Sequence, residues 1–195
     1  MQVFLNGKRV KLDPARSLGK GGEADVFDIG GDRALKLFKT PDHPDYQGQP
    51  HEQQAAEARL AEQQRKLRAF PARLPAAVVA PEELATDKAG RRILGYAMRR
   101  VASTEPLLRF ADPAFRRAGV PGNQVVRVFE RLHRAVEELH RAQVVIGDFN
   151  DRNVLVCGEK PFLIDATASN SRAFCAASLP IASLIHCCAI HRRRR

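Results

Sequence analysis

Residues 144–165, VVIGDFNDRNVLVCGEKPFLID, constrain the chain most, because they set three oxygen donors, Asp148, Asn153 and Asp165, around one short turn. An apolar stretch runs into a polar loop, returns as Val-Leu-Val, turns at Gly158 and ends on Asp165. Alternating apolar residues at 154–156 and 162–164, with 158–161 between them, read as a hairpin that brings the loop and Asp165 together. Two carboxylates and an amide oxygen are hard donors of the kind Mg²⁺ accepts alongside phosphate oxygens. Asp and Asn also favour turns for local reasons, so ordinary turn chemistry stays open at this point.

A length of 195 residues fits one globular unit. The opening MQVFLNGKRVKLD is charged and has no long apolar run, which reads as neither signal nor transit peptide and points to a cytoplasmic protein. The formal charge is +10, but five arginines and no acid follow Asp165, leaving +5 for the remainder. Those charges mix both signs without interleaved aromatics, which reads as a solvated surface and not a nucleic-acid groove. Cys157 stands alone outside the tail that holds Cys175, Cys187 and Cys188. A disulfide framework is therefore not expected, and the adjacent Cys187 and Cys188 lack the spacing of a zinc site.

VFLNGKRVKL alternates around Asn6 and Gly7, the strongest short-range hairpin signal, so residues 2–12 should form two strands. SLGKGGEADVFDIGGDRALKLFK then reads as strand, glycine-rich turn, strand, turn, strand. No helix follows the glycines, which argues against a P-loop or dinucleotide fold, where phosphate sits on a helix N-terminus. A glycine flap between antiparallel strands is left, and its backbone N–H groups can approach phosphate closely. Residues 51–70 read as a helix with Ala56, Leu60, Leu67 and Phe70 inward. A hairpin is expected around residues 87–90, leading to a strand that reaches Met98. Residues 123–142 read as an amphipathic helix with Val126, Phe129, Leu132, Val136 and Leu139 at helical spacing.

The set Gly19-x-Gly21-x-x-Ala24-x-Val26, then Ala34-Leu35-Lys36, then Asp148 with Asn153 five residues on, then Asp165, resembles the protein kinase superfamily over residues 13–165. The resemblance implies an α+β, bilobal protein-kinase-like fold with a complete N-lobe (1–101) and only the start of a C-lobe (102–165), followed by an aberrant basic tail (166–195). It implies ATP and Mg²⁺ between the lobes and phosphoryl transfer to a protein or small-molecule hydroxyl. On it, Gly19 and Gly21 cover the phosphates, with Ala24 in place of a third glycine. Val26 and Ala34 line the nucleotide pocket, and Lys36 meets the α- and β-phosphates; Lys39 is the bland alternative. Glu57, on the inward stripe before Leu60, pairs with Lys36. Met98 lines the back of the pocket, and Arg99 and Val101 offer main-chain contacts to adenine. Asp148 accepts the acceptor's proton, while Asn153 and Asp165 hold Mg²⁺.

Three departures limit this reading. Ile146-Gly147-Asp148 replaces the usual His-Arg-Asp, which puts control through an Arg-bound phosphate in doubt. Asn150 stands where Ser/Thr protein kinases carry Lys. The tail ATASNSRAFCAASLPIASLIHCCAIHRRRR shows no series of helices to finish a C-lobe; Pro180 and His186 make it a marginal membrane anchor. A reading-frame change near Ala166, which the coding DNA read in all frames would test, accounts for it best, and a non-catalytic nucleotide-binding or scaffold module stands as the other functional class.

Overall fold

The computed structural model of the protein describes residues 2–71, 74–142, 144, 146 and 148–165; the tail, with the frame-change and anchor readings attached to it, lies outside them. Asn6 and Gly7 both take positive φ, 45° and 74°, as a two-residue type I′ turn requires. They fold β1 (Val3–Leu5) onto β2 (Lys8–Val10). A 3-10 turn at Pro14–Arg16, capped by Asp13, then leads into β3 (Ser17–Lys20), β4 (Ala24–Gly30) and β5 (Arg33–Phe38). The Pro-rich loop condenses into a second 3-10 turn at Pro44–Tyr46 before α1 (Pro50–Arg68). Then come β6 (Glu83–Thr86) and β7 (Ile93–Arg99). In the turn between them Asp87 accepts the N–H groups of Arg91 and Arg92, which hold its carboxyl below the ordinary range.

These strands pair antiparallel in one seven-stranded sheet, in the order β2-β1-β6-β7-β5-β4-β3. Its two faces are both apolar: Val3, Leu5, Leu35, Leu37 and Leu94 pack on one, and Ala24, Phe38, Ile93 and Tyr96 pack with Leu60 and Leu67 of α1 on the other. The Gln64 side chain fixes the rotation of α1, donating to the Ile93 carbonyl at 2.7 Å and accepting from the Ile93 N–H at 2.8 Å. Gly95 sets the spacing of β5 and β7. A Cβ there would lie 2.1 Å from the Lys36 carbonyl oxygen, a distance no side chain can occupy.

The rest is a smaller unit. β8 (Glu105–Pro106), a 3-10 turn at Leu107–Ala111, α2 (Pro113–Arg117) and α3 (Gly122–Arg141) lead into β9 (Val154–Cys157) and β10 (Lys160–Leu163). The second sheet has the order β10-β9-β8. The hairpin turn is Gly158-Glu159, tighter than the sequence suggested, and α3 clamps it: Arg127 and Arg131 meet Glu159 at 2.5 and 3.0 Å, and Gln124 donates to the Gly158 carbonyl at 3.0 Å. Residues 77–79 pin the other edge, because the Leu163 N–H donates to the Ala77 carbonyl and the Val79 N–H to the Leu163 carbonyl, both at 2.8 Å.

The stripe of α3 is in part the one expected, with Leu132 and Leu139 buried and Val136 packed beside them, and in part shifted. Val128, Leu132, Ala135 and Leu139 pack against Val154, Val156 and Leu163, whereas Val126 and Phe129 are 57% and 45% exposed. Both sets recur at helical spacing, and contact with the hairpin selects between them. Leu139→Ala should therefore cost about 2–5 kcal/mol of unfolding free energy in a denaturant titration, while Val126→Ala should stay within about 0.5 kcal/mol. Equal costs would mean that α3 is rotated from the orientation described.

Candidate functional site

Register places four of the candidate residues. Val26 lies opposite Lys36, Lys36 opposite Tyr96, and Ala34 opposite Met98. Directly paired residues share a face of the sheet, so Val26, Ala34, Lys36 and Met98 line the face that α1 flanks. From there the Lys36 ammonium reaches Asp165 Oδ1 at 2.5 Å, across 129 residues of chain. Lys36 is largely shielded, with 15% of its side chain exposed, and Asp165 keeps 37%. Tyr96 is buried beside them; burial, then the Asp165 charge, push its phenol above the ordinary range.

Below the sheet, the polar loop is bonded internally. Asp148 accepts from the Asn150 amide at Oδ1, 2.9 Å, and from the Asn153 amide at its carbonyl and Oδ2, 2.9 and 3.0 Å. Asn150 Oδ1 in turn accepts the N–H groups of Arg152 and Asn153, a local Asx-type turn. The Ile164 N–H donates to the Asn153 carbonyl at 2.9 Å, which extends the β9–β10 pairing by one step and sets Asn153 beside Asp165. With both amide hydrogens of Asn153 turned to Asp148, its side-chain oxygen is the end left for a cation. Among the described residues there is no cluster of three or more His, Cys, Asp or Glu suited to a metal. The donor set present, one amide oxygen and one carboxylate, fits a hard cation that keeps water or phosphate as its other ligands.

The glycine turn joins β3 to β4. Its Gly21 N–H donates to the Ala24 carbonyl at 2.8 Å, and a Cβ on Gly21 would press to 3.0 Å on that same oxygen. Lys39 follows the end of β5 and stands by Asp25, which pairs with Leu37 and so lies on the face opposite Lys36. Its ammonium donates to the Gly21 carbonyl at 2.6 Å and to the Asp45 carboxylate, and stands 3.7 Å from Asp25. Burial pulls its pKa down, but the Asp45 hydrogen bond and the charges of Asp25 and Asp45 outweigh that and hold it above the ordinary value.

Glu57 is not brought to Lys36. Ala56, Leu60 and Leu67 face the sheet, and the helical step of about 100° turns Glu57 off that face. It lies 66% exposed, 3.5 Å from Arg92. At the connector, Arg99 pairs with Arg33 at the end of β7. Its guanidinium donates to the Ala76 and Val78 carbonyls and lies 5.0 Å over the Phe162 ring. The Arg100 N–H donates to the Asp32 carbonyl at 2.7 Å, and half-buried Val101 is the next residue of the connector. A cavity of about 640 Å³ behind the connector, lined by Leu67, Phe70, Leu74, Leu84 and Arg99, contains none of Lys36, Asp148, Asn153 or Asp165. Residues of the Pro-rich loop, Tyr46 above all, reach the glycine turn without any motif to mark them. An exposed pair contributes little, so Glu57→Gln should leave stability within about 0.5 kcal/mol and nucleotide affinity within about two-fold. A ten-fold loss of affinity in calorimetry would return Glu57 to the site.

No family model matches the chain. Protein kinase YegI of Escherichia coli O157:H7 is 28% identical over 161 residues, covering 80% of this chain and 23% of that protein. The chain thus spans about a quarter of the length of the curated relative it matches. Among solved structures, the PknI kinase domain of Mycobacterium tuberculosis is 17% identical with a TM-score of 0.49, covering 85% of this chain and 60% of that one. A mutant form of the domain gives 17% and 0.48, covering 86% and 62%. Among the described residues, the curled antiparallel sheet, the helix on its inner face, and the small sheet whose hairpin returns Asp165 to Lys36 make a protein-kinase-like fold, an N-lobe with part of a C-lobe.

Proposed function

We propose that the chain binds ATP with Mg²⁺ and is the nucleotide-binding part of a phosphotransferase of protein-kinase type, passing the γ-phosphate to a Ser or Thr hydroxyl of a protein. The contact between Lys36 and Asp165 carries this reading, because it gathers a cation and a hard anion from two sheets into one cleft. Phosphoryl transfer needs positioning and charge stabilisation above covalent chemistry. In this arrangement Lys36 neutralises phosphate oxygens in a partly desolvated site. Val26, Ala34 and Met98 flank the base, and the main chain of Arg99 and Val101 meets its polar edge. Gly19 and Gly21 cover the phosphates. Asn153 and Asp165 hold Mg²⁺, which when bound offsets the charge of the transferring group. Asp148, oriented by the Asn150 and Asn153 amides, accepts the hydroxyl proton.

A second reading, nucleotide binding without transfer, draws support from α3, whose Val126 and Phe129 face water where a fuller C-lobe would offer packing partners. The two are separated by assay. Lys36→Met should weaken Mg²⁺-ATP binding about ten- to a hundred-fold in calorimetric titration, since it removes charge-assisted hydrogen bonds; equal affinity of both proteins would take Lys36 out of the site. Asp148→Asn should lower radiolabelled phosphate transfer by about 10²- to 10⁴-fold while leaving ATP affinity in place. Transfer unchanged in Asp148→Asn would remove that residue from the chemistry, and wild-type binding without transfer would favour the second reading.

A further inference from the structure

Two side chains from the segment that follows β5 hold the glycine turn. Lys39 donates to the Gly21 carbonyl at 2.6 Å, and the Tyr46 hydroxyl donates to the Gly22 carbonyl at 2.7 Å. Both donors are buried, at 6% exposure each, and Lys39 is the one charged residue that is buried among those described. Tyr46 is in turn fixed to α1: Arg59 donates to its hydroxyl at 3.3 Å, lies 5.8 Å over its ring, and comes within 3.7 Å of Glu23 at the turn itself. Asp45 and Asp25 balance the Lys39 charge, which a buried ammonium requires.

Two adjacent glycines have more backbone freedom than any other pair of residues, and ordering them costs correspondingly more. Capturing their carbonyls removes much of that freedom before a ligand arrives. It also sets direction. In a trans peptide the C=O and the following N–H point opposite ways. With the Gly21 and Gly22 carbonyls drawn to Lys39 and Tyr46, the N–H groups of Gly22 and Glu23 are turned away from those two donors and left for a ligand. Consecutive N–H groups so presented form an anion-binding concavity.

We infer that Lys39 and Tyr46 are positioning residues for the glycine turn, holding its carbonyls so that the Gly22 and Glu23 N–H groups meet nucleotide phosphates, with Arg59 linking the turn to α1. This rests on the ATP reading above. By this route α1 serves the site through Tyr46 and not through a carboxylate on Lys36.

Tyr46→Phe deletes only the hydroxyl and keeps the buried ring; Lys39→Met is the parallel variant. Hydrogen–deuterium exchange of residues 17–24 in nucleotide-free protein, and calorimetric titration with Mg²⁺-ATP and with adenosine, decide the matter. In Tyr46→Phe the amides of residues 21–23 should exchange several-fold faster, and ATP affinity should fall about five-fold, the equivalent of one hydrogen bond. Adenosine affinity should not change. Unchanged exchange, or ATP and adenosine affinities that fall together, would overturn the inference. Wild-type protein that binds neither ligand would instead sink the nucleotide reading; the tether would then be decided by exchange alone, faster rates in Tyr46→Phe upholding it and equal rates overturning it.

Discussion

One ion pair joins the two halves of this molecule where chemistry is possible. Lys36 sits mid-strand in the seven-stranded sheet and Asp165 just past the end of the small hairpin, and their contact at 2.5 Å is the point where the two sheets share a polar site. Much of the surrounding structure serves to place these two groups. Gly95 lets β7 lie close enough to β5 to shape the floor beside Lys36. Residues 77–79 hold Leu163 from one side and α3 grips Glu159 from the other, so the hairpin has little room to slide. On the function proposed, the cation meets anionic oxygens and the carboxylate a metal ion, which a nucleoside triphosphate with Mg²⁺ would supply together.

Two lysines three residues apart, Lys36 within β5 and Lys39 just past its end, have opposite work. Lys36 faces the cleft and answers a carboxylate from the other sheet; Lys39 answers the glycine turn and two aspartates of its own lobe. Their partners separate them, Asp165 for the first and Asp25, Asp45 and the Gly21 carbonyl for the second. Lys39 is the more deeply buried of the two, and its surroundings are acidic, which keeps it charged. A buried charge kept in this way has a structural task that its polar partners identify, here the Gly21 carbonyl.

What could be read from residues alone follows from how local the determinants are. Asn6-Gly7 dictates its turn through φ, and β9 and β10 declare themselves by alternation, so both hairpins were legible. The preference for Lys36 over Lys39 came from register, and the structure gives the two different partners. Glu57 failed because the rotation of α1 is set by Gln64 bonding to Ile93, a polar contact 29 residues apart that leaves no periodic trace. On α3 Leu132 and Leu139 were legible, but Val126 and Phe129 share the helical period with Val128 and Ala135, and only the hairpin packed beneath selects the latter pair. The two-residue strand β8 and the short α2 fall below the length at which pattern means anything. Tyr46 was hidden in a stretch that reads as a mere Pro-rich loop, since its role depends on where the chain folds back.

Lysine-directed labelling with an acyl-phosphate derivative of ATP tests the central claim most directly, because the reagent acylates the amine nearest its phosphates and mass spectrometry reads which lysine that is. The account predicts that Lys36 carries the label and that excess Mg²⁺-ATP suppresses it. Label on Lys39, or spread over surface lysines such as Lys8, Lys11 and Lys88 and indifferent to ATP, would contradict it.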